Sequence, residues 1–379
     1  MRTIAKCCAA LVALFLIGYL ILNAIWAFKP QHTLNVFILD KTVTTPACPE
    51  HSSLTWLLTH LRVVGPDAKP YRTRSDYWGF MPRADQQFDF KTIRIHEVDA
   101  YAAAFDMAYY ADCYGVYAFE WYKDFKARDL SSSKVYGGLN QNDFLLLKKM
   151  HEYGKLVIGE YNMLNAPTNA LIRNKAEELF NLRYSGWSGR YYASLDTSQP
   201  AGPPLWMVNL YEAQHLKPWP NDSQGIVILS NSGSIDLLLL DTDLQQPMPI
   251  IEATELGIST YGLPAQIAYP GWFELMTAGN DALCPATFRL HTTEQGSKHL
   301  EQLGLPSQFP AVIQAQADSP TFYFCADFAE NPTIPFCSKL HGGLWFNKQL
   351  IGTEAEANFF ANFYTPLMQH LLAQYTPKH

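Results

Sequence analysis

The sequence is short of charge. Only 17% of its residues are Asp, Glu, Lys or Arg, the formal net charge is -7, and no basic block or Lys/Arg stripe occurs. A nucleic-acid binder needs such a stripe to displace counterions from phosphates, so no nucleic-acid partner is expected. The 7 cysteines include no CxxC pair. Zinc-ligand spacing is therefore absent, and neither a metal nor another cofactor is expected. There is no G-x-S-x-G, which removes the nucleophile elbow of the serine hydrolases. Internal repeats, low-complexity tracts and a clear linker are missing too, so the two halves of the 379 residues are expected to pack together.

What is abundant is apolar and aromatic: 48% hydrophobic residues, with 9 Trp, 21 Tyr and 22 Phe. Such aromatic content suits a core or a sugar-stacking cleft, and composition does not choose between them. The N-terminus carries the clearest signal. After Arg2 and Lys6 comes CCAALVALFLIGYLILNAIWAF (7–28), apolar except for Asn23. About 20 apolar residues span a bilayer, whereas the core of a removed signal peptide is usually ~7–15 long and ends on small residues. No such cleavage site precedes Lys29-Pro30, and Trp26 suits an interfacial anchor. The reading is an uncleaved signal anchor over 1–29 with its N-terminus inside, against the alternative of a removed signal peptide. Cys325 and Cys337 are the nearest pair of remaining cysteines, and either a disulfide or buried free thiols fits them.

Beyond Pro30 strands and helices alternate. LNVFILD (34–40) reads as a strand ending on Asp40, and EHSSLTWLLTHLRV (50–63) as a helix on Leu54, Leu57, Leu58 and Leu61. Residues 67–85 read as an irregular surface loop, TIRIHEV (92–98) as a strand, and FDMAYYADCYGVY as an apolar run ending near Asp112. GGLNQNDFLLLKKMHEYGKLVIGEYN then gives a turn, a helix closed by Gly154, and a strand meeting Glu160. A further helix follows, with Thr168 or Asn169 as its cap. This order predicts an α/β fold: a mostly parallel sheet with helices on both faces. GIVILSNSGSIDLLLL (225–240) reads as an inserted hairpin, 286–293 and 311–328 as further strands, and the tail as a helix interrupted near Pro366. The expected division is the anchor at 1–29, an α/β core at 30–200, and the remainder at 201–379 packed on that core.

In open parallel sheets, ligands bind beyond the carboxyl ends of the strands. Asp40, Asp112 and Glu160 stand at three such ends, and His51 follows Asp40 closely. These four are the candidate catalytic residues, and Asp327, after FYFCA, is a further strand-end acid. For each acid the plain alternative is a helix cap or a partner for an arginine. Paired carboxylates can serve as acid and base on a glycosidic bond. The candidate binding residues are Arg190, Trp187 and Tyr191, in the glycine-punctuated loop SGWSGRYYASLD (185–196), together with Tyr114. The same loop could instead brace an aromatic core. YPGWFE and HGGLWFNK repeat the flavour and read first as packing. ADCYG around Cys113 lacks the leading glycine of a nucleophile elbow.

The order of elements from Leu34 to Phe328 resembles the class I glutamine amidotransferase-like superfamily, with its trehalose-utilisation and β-galactosidase trimerisation relatives. The resemblance is carried by LNVFILD, by the strand ending near Asp112, by the helix–strand unit ending LVIGE, by ELFNL and by FYFCADFAENP. It implies a flavodoxin-like α/β fold. It also implies a nucleophilic cysteine after LVIG, where this chain has Glu160, so the amidotransferase triad does not carry over. The chain is similar as well to membrane-anchored bacterial proteins, which implies a single-pass protein of the bacterial cytoplasmic membrane with its body in the periplasm or outside the cell. Together these readings lead us to expect a hydrolase acting on cell-envelope or other carbohydrate, with Glu160 and Asp112 as acid and base. The rival is a non-catalytic module that binds a glycan or a protein within a membrane-associated assembly.

Overall fold

The computed structural model describes residues 2–122, 133–199, 201–352 and 354–375. The boundary expected at residue 200 falls outside them. Apolar helix α1 (Arg2–Ala27) leads into strand β1 (Val36–Asp40) and helix α2 (Pro49–His60). Next come β2 (Trp78–Pro82), β3 (Phe88–Lys91), α3 (Val98–Ala104), β4 (Met107–Asp112), α4 (Gln141–Glu152), β5 (Leu156–Gly159) and α5 (Ala170–Phe180). The second half supplies β6 (Leu182–Tyr192), α6 (Leu205–His215), β7 (Gly225–Ser230), β8 (Ile235–Leu239), β9 (Ile250–Ala253) and β10 (Gln266–Ala268). It continues with β11 (Trp272–Ala278), β12 (Leu283–Arg289), β13 (Gln308–Gln314) and β14 (Thr321–Phe324). Helices α7 (Gly343–Leu350) and α8 (Thr365–Tyr375) close the chain.

Ten strands form one sheet in the order β10-β9-β12-β13-β14-β5-β4-β1-β2-β3. Only the run from β14 to β2 is parallel; its flanks are antiparallel. The sheet is therefore mixed, and the mostly parallel, flavodoxin-like sheet expected from the sequence is corrected. The cause lies in the connections. A parallel neighbour needs a long crossover, which α2, α4 and α5 provide, whereas a short turn such as 315–320 can return the chain only antiparallel. A second sheet, β8-β7-β6-β11, is wholly antiparallel and contains the anticipated hairpin at 225–240.

In the parallel run both faces are buried, and the strand period of two sorts the side chains. Val36, Ile38, Met107, Tyr109, Leu156 and Ile158 join one core with α2 and the C-terminal helices. Phe37, Leu39, Ala108, Tyr110 and Val157 join the other, against α3, α4 and α5. Each fully buried large side chain contributes about 1.5–3 kcal/mol. The helix starts are set locally. Asn140 caps α4 by accepting from the Asn142 and Asp143 amides, and Asn169 caps α5 through the Ile172 amide. Gly154, at φ +65, follows the end of α4 in the left-handed region.

Three local expectations are corrected. Residues 92–98 are a helix start, not a strand: the Glu97 carboxylate accepts from the Arg94 amide at 2.8 Å, the capping geometry that opens α3. Within the supposed loop at 67–85, β2 pairs at the edge of the parallel run. The stretch 185–196 is not a loop: most of it lies in β6, bonded on both sides by β7 and β11. The interruption expected near Pro366 is a π-helical turn, Phe360–Tyr364, just before α8. Every described cysteine is a free thiol, Cys325 and Cys337 included, which resolves the alternative left open for that pair.

Candidate functional site

Because β14, β5, β4 and β1 are adjacent and parallel, their carboxyl ends lie in a row, followed by Asp327, Glu160, Asp112 and Asp40 respectively. That row is mostly covered. Asp40 binds His51 Nδ1 at 2.5 Å, and its other oxygen accepts from the Thr42 amide at 3.0 Å. His51 Nε2 lies 2.8 Å from the Thr73 carbonyl, so both ring nitrogens are engaged in a fully buried site. Asp112 accepts from the Thr42 hydroxyl at 2.5 Å and the Tyr114 amide at 2.6 Å, and on its second oxygen from Asn162 at 3.0 Å. Burial, first, and the nearby Asp40 charge push Asp112 up to about 7, against those three donors.

Glu160 is completely buried. One of its oxygens accepts from the Ala329 amide at 2.5 Å, and the other meets no hydrogen-bond partner. Burial holds it well above the usual carboxylate range despite the pull of the Tyr109 hydroxyl and the backbone amides. The lid over it is residues 326–331. Ser53 of α2 donates to the Ala329 carbonyl at 2.5 Å, and Asn331 donates to Ser53 and to the Phe328 carbonyl. Two more acids back the row. Glu274 accepts from Tyr323 and the Asn162 amide and is pushed by burial to about 8. Glu50 is raised by burial and by Asp40 to about 10. The cations nearby are spent elsewhere: Lys41 is paired with Asp143 and donates to the Gly138 carbonyl at 2.8 Å.

The accessible space lies to one side. An open cleft of about 1220 Å³ is bordered by residues 46–59, 69–74, 269–272 and 327–339, together with Tyr19 and Arg190. Of the row of acids only Asp327 reaches it, joined by the exposed Glu330. Burial, then the Glu330 carboxylate with which it shares a hydrogen bond, hold Asp327 well above the usual range. Its buried Oδ1 has no hydrogen-bond partner among the described residues. The Asp327 amide donates to the Trp272 carbonyl at 3.1 Å, and Trp272 pairs with Arg190 across β6 and β11. The Arg190 guanidinium lies 5.3 Å from the Tyr192 ring centroid and 5.9 Å from that of Trp272, with its Nε unpartnered. Acid, cation and indole therefore meet at one wall.

The residues singled out from sequence separate accordingly. Asp40, His51, Asp112 and Glu160 come together but do not line the cleft, and Arg190 does. Trp187 and Tyr191 pack on the main core, Tyr191 with its hydroxyl on Gln224 at 2.8 Å. Tyr114 stacks near Tyr117, 4.9 Å between centroids. Glu330, Trp272 and the basic stretch Lys69, Arg72 and Arg74 went unmarked as site residues. The signal for Trp272 stood in YPGWFE, and that for Glu330 in its spacing of three from Asp327. No group of three or more metal-ligating side chains occurs among the described residues.

No protein-family model and no curated protein matches the chain. Among solved structures, the chain is similar to a Bacteroides uniformis protein named as ThuA-like, at TM-score 0.38 and 8% identity, over 90% of this chain and 98% of that one.

Proposed function

We propose that the cleft is the working site of a membrane-anchored, extracytoplasmic hydrolase of cell-envelope carbohydrate, with Asp327 as the proton donor. The observation that supports this best is a carboxyl group that lines the cleft beside Trp272 and Arg190 and whose hold on its proton is raised by burial and by Glu330. A general acid must hold its proton at working pH and reach the leaving group. Trp272, partly exposed in the cleft wall, offers an aromatic surface for a sugar, and Arg190 suits an anionic substituent. The anchor is α1, whose stretch Lys6–Ala27 has the length and hydropathy to cross a bilayer. Arg2, Lys6 and the terminal amine favour retention of the N-terminus inside, which leaves the body outside.

The test is release of reducing ends from envelope polysaccharides by the purified full-length protein. Asp327→Asn is expected to reduce it by roughly 100-fold or more; full activity in that variant sinks the acid assignment. A second reading, binding without catalysis, is favoured by the enclosure of Asp112 and Glu160, which leaves few groups for chemistry. It expects glycan binding that survives Asp327→Asn and is lost in Trp272→Ala, with no cleavage by the wild type.

A further inference from the structure

The end of α1 is not a free stalk. From Tyr19 onward one face of the helix is docked on the body, at positions spaced three or four apart. The Tyr19 ring meets Phe336 edge-on at 6.4 Å. The Leu22 carbonyl accepts from the His341 amide at 3.1 Å, and Asn23, the one polar residue of the run, donates to the Lys339 carbonyl at 2.8 Å. Trp26 is buried, donates to the His60 carbonyl at 3.2 Å, and lies under the Arg62 guanidinium at 4.7 Å. Arg62 also closes the helix by donating to the Ala27 carbonyl at 3.1 Å.

Length makes this docking consequential. The apolar stretch Lys6–Ala27 has 22 residues, about 33 Å at 1.5 Å per residue, which just matches a hydrocarbon core of ~30 Å. Tyr19 to Ala27 takes up about 12 Å of it, so only about 20 Å of undocked helix remains. A body resting above the membrane would leave the helix too short to span, so the body must enter the leaflet by roughly 10 Å. The surface beside the docked helix is suited to that. Phe336 is 46% exposed, Trp345 61% and Leu350 56%, although each is large and apolar. Lys339, His341 and Lys348 are interleaved with them. Aromatic residues with lysines that reach back to water are the composition of a membrane interface.

We propose that segment 335–350 is a bilayer-insertion face: Phe336, Trp345 and Leu350 enter the outer leaflet around α1. The cleft, which Tyr19 and Phe336 line at this end, then opens at the lipid surface. This rests on the reading of α1 as a membrane anchor. The occupant of the face is the lipid itself, because the neighbouring transmembrane helix sets its depth.

The experiment uses the full-length protein reconstituted in phosphatidylcholine vesicles containing a 5-doxyl lipid. Cys7 and Cys8, the exposed thiols, are replaced by serine. An environment-sensitive fluorophore is placed at Phe336→Cys, at Trp345→Cys, at Leu16→Cys within α1, or at Leu171→Cys. Leu171 is an exposed apolar residue of α5, on the opposite face of the main sheet. Labels at 336 and 345 are expected to shift to the blue and to be quenched at least about twofold more than the label at 171. Water-like, unquenched labels at 336 and 345 with a quenched label at 16 overturn the insertion face and leave the anchor standing. An unquenched label at 16 overturns the anchor, and the insertion face with it.

Discussion

Asp112 and Asp327 occupy similar places in the sheet, one the last residue of parallel strand β4 and the other three residues past the end of parallel strand β14, with β5 between the two strands. Their surroundings differ. Asp112 has three donors on its two oxygens and does not line the cleft; Asp327 has one oxygen with no partner among the described residues and lines the cleft. The strand end supplies an address, and the covering segments decide whether that address is a structural joint or a site. At Asp112 the cover is Thr42 and Asn162. At Asp327 the chain runs on to the exposed Glu330, and Trp272 at the start of β11 lines the cleft beside it.

The joint is sharpest where backbone meets backbone. Gly79 on β2, at φ +139, pairs with Asp40, and a Cβ there would stand 1.6 Å from the Asp40 carbonyl oxygen. Gly79→Ala must separate β2 from β1 and shift Asp40 from His51. The expected cost is about 4 kcal/mol or more, at the diagnostic extreme for a point mutant. Denaturant titration of the solubilised protein reads it; a variant within ~1 kcal/mol of the wild type would mean that the edge strand is loosely held. At the cleft, a Cβ on Gly271 would meet the Tyr269 hydroxyl at 2.6 Å, a contact with a side chain rather than with backbone.

Replacement of the two cations separates the regions next. Lys41 is buried and paired with Asp143, so Lys41→Met leaves a buried carboxylate uncompensated, at a cost of about 3–5 kcal/mol. Arg190 forms no ion pair among the described residues, so Arg190→Met is expected to change stability by less than about 1 kcal/mol while weakening ligand retention. Similar losses from both would erase the distinction between joint and site.

Much of this was legible in the sequence, and the failures have physical causes. Strands 36–40, 107–112 and 156–159 show as apolar runs because both faces of the parallel sheet are covered. The helices α2, α4 and α5 show through spacing and caps. That the strand-end acids share one end follows from parallel order and was also readable. Their enclosure was not, because it depends on Ser53 and Asn331, 278 residues apart, pinning residues 326–331 over the row. The alternation in TIRIHEV looked like a strand because a pattern of two apolar positions cannot reveal that Glu97 captures the Arg94 amide. The aromatic stretch at 187–191 looked like a binding loop, since the strands that bond it on both sides lie 30 to 90 residues downstream. The cleft is assembled from four separate stretches and the isolated Tyr19, Arg190, Glu356 and Phe359, and no local motif announces such a surface.

The charge state of the row gives a pH dependence. Asp112 is raised to about 7, Glu274 to about 8 and Glu50 to about 10, and burial raises Glu160 as well. Each such acid binds its proton more tightly folded than unfolded. Its contribution is therefore complete below the unfolded value near 4 and is lost as pH rises toward the folded one. His60, lowered by burial to about 4, works the other way, but only below about 6.5. Thermal stability is therefore expected to fall by several degrees between pH 6 and pH 8.5, and Glu274→Gln is expected to flatten the slope. A melting point that climbs over that interval would show the row to be ionised and solvated.

The smallest effect falls on the other side of the comparison. Glu330 is exposed, so Glu330→Gln should leave stability within about 0.5 kcal/mol of the wild type. It removes the largest charge acting on Asp327 after burial itself, and with it a hydrogen bond that favours the protonated form. Asp327 is therefore expected to ionise at lower pH in the variant, seen as a downward shift of its carboxyl stretching band against pH in difference infrared spectra with Asp327→Asn as the blank. Asp112, whose raising charge is Asp40 rather than Glu330, should keep its titration. A parallel shift of both bands would mean that the row titrates as one body, and that Asp327 is an outlying member of the enclosed joint rather than a group addressed separately by the cleft.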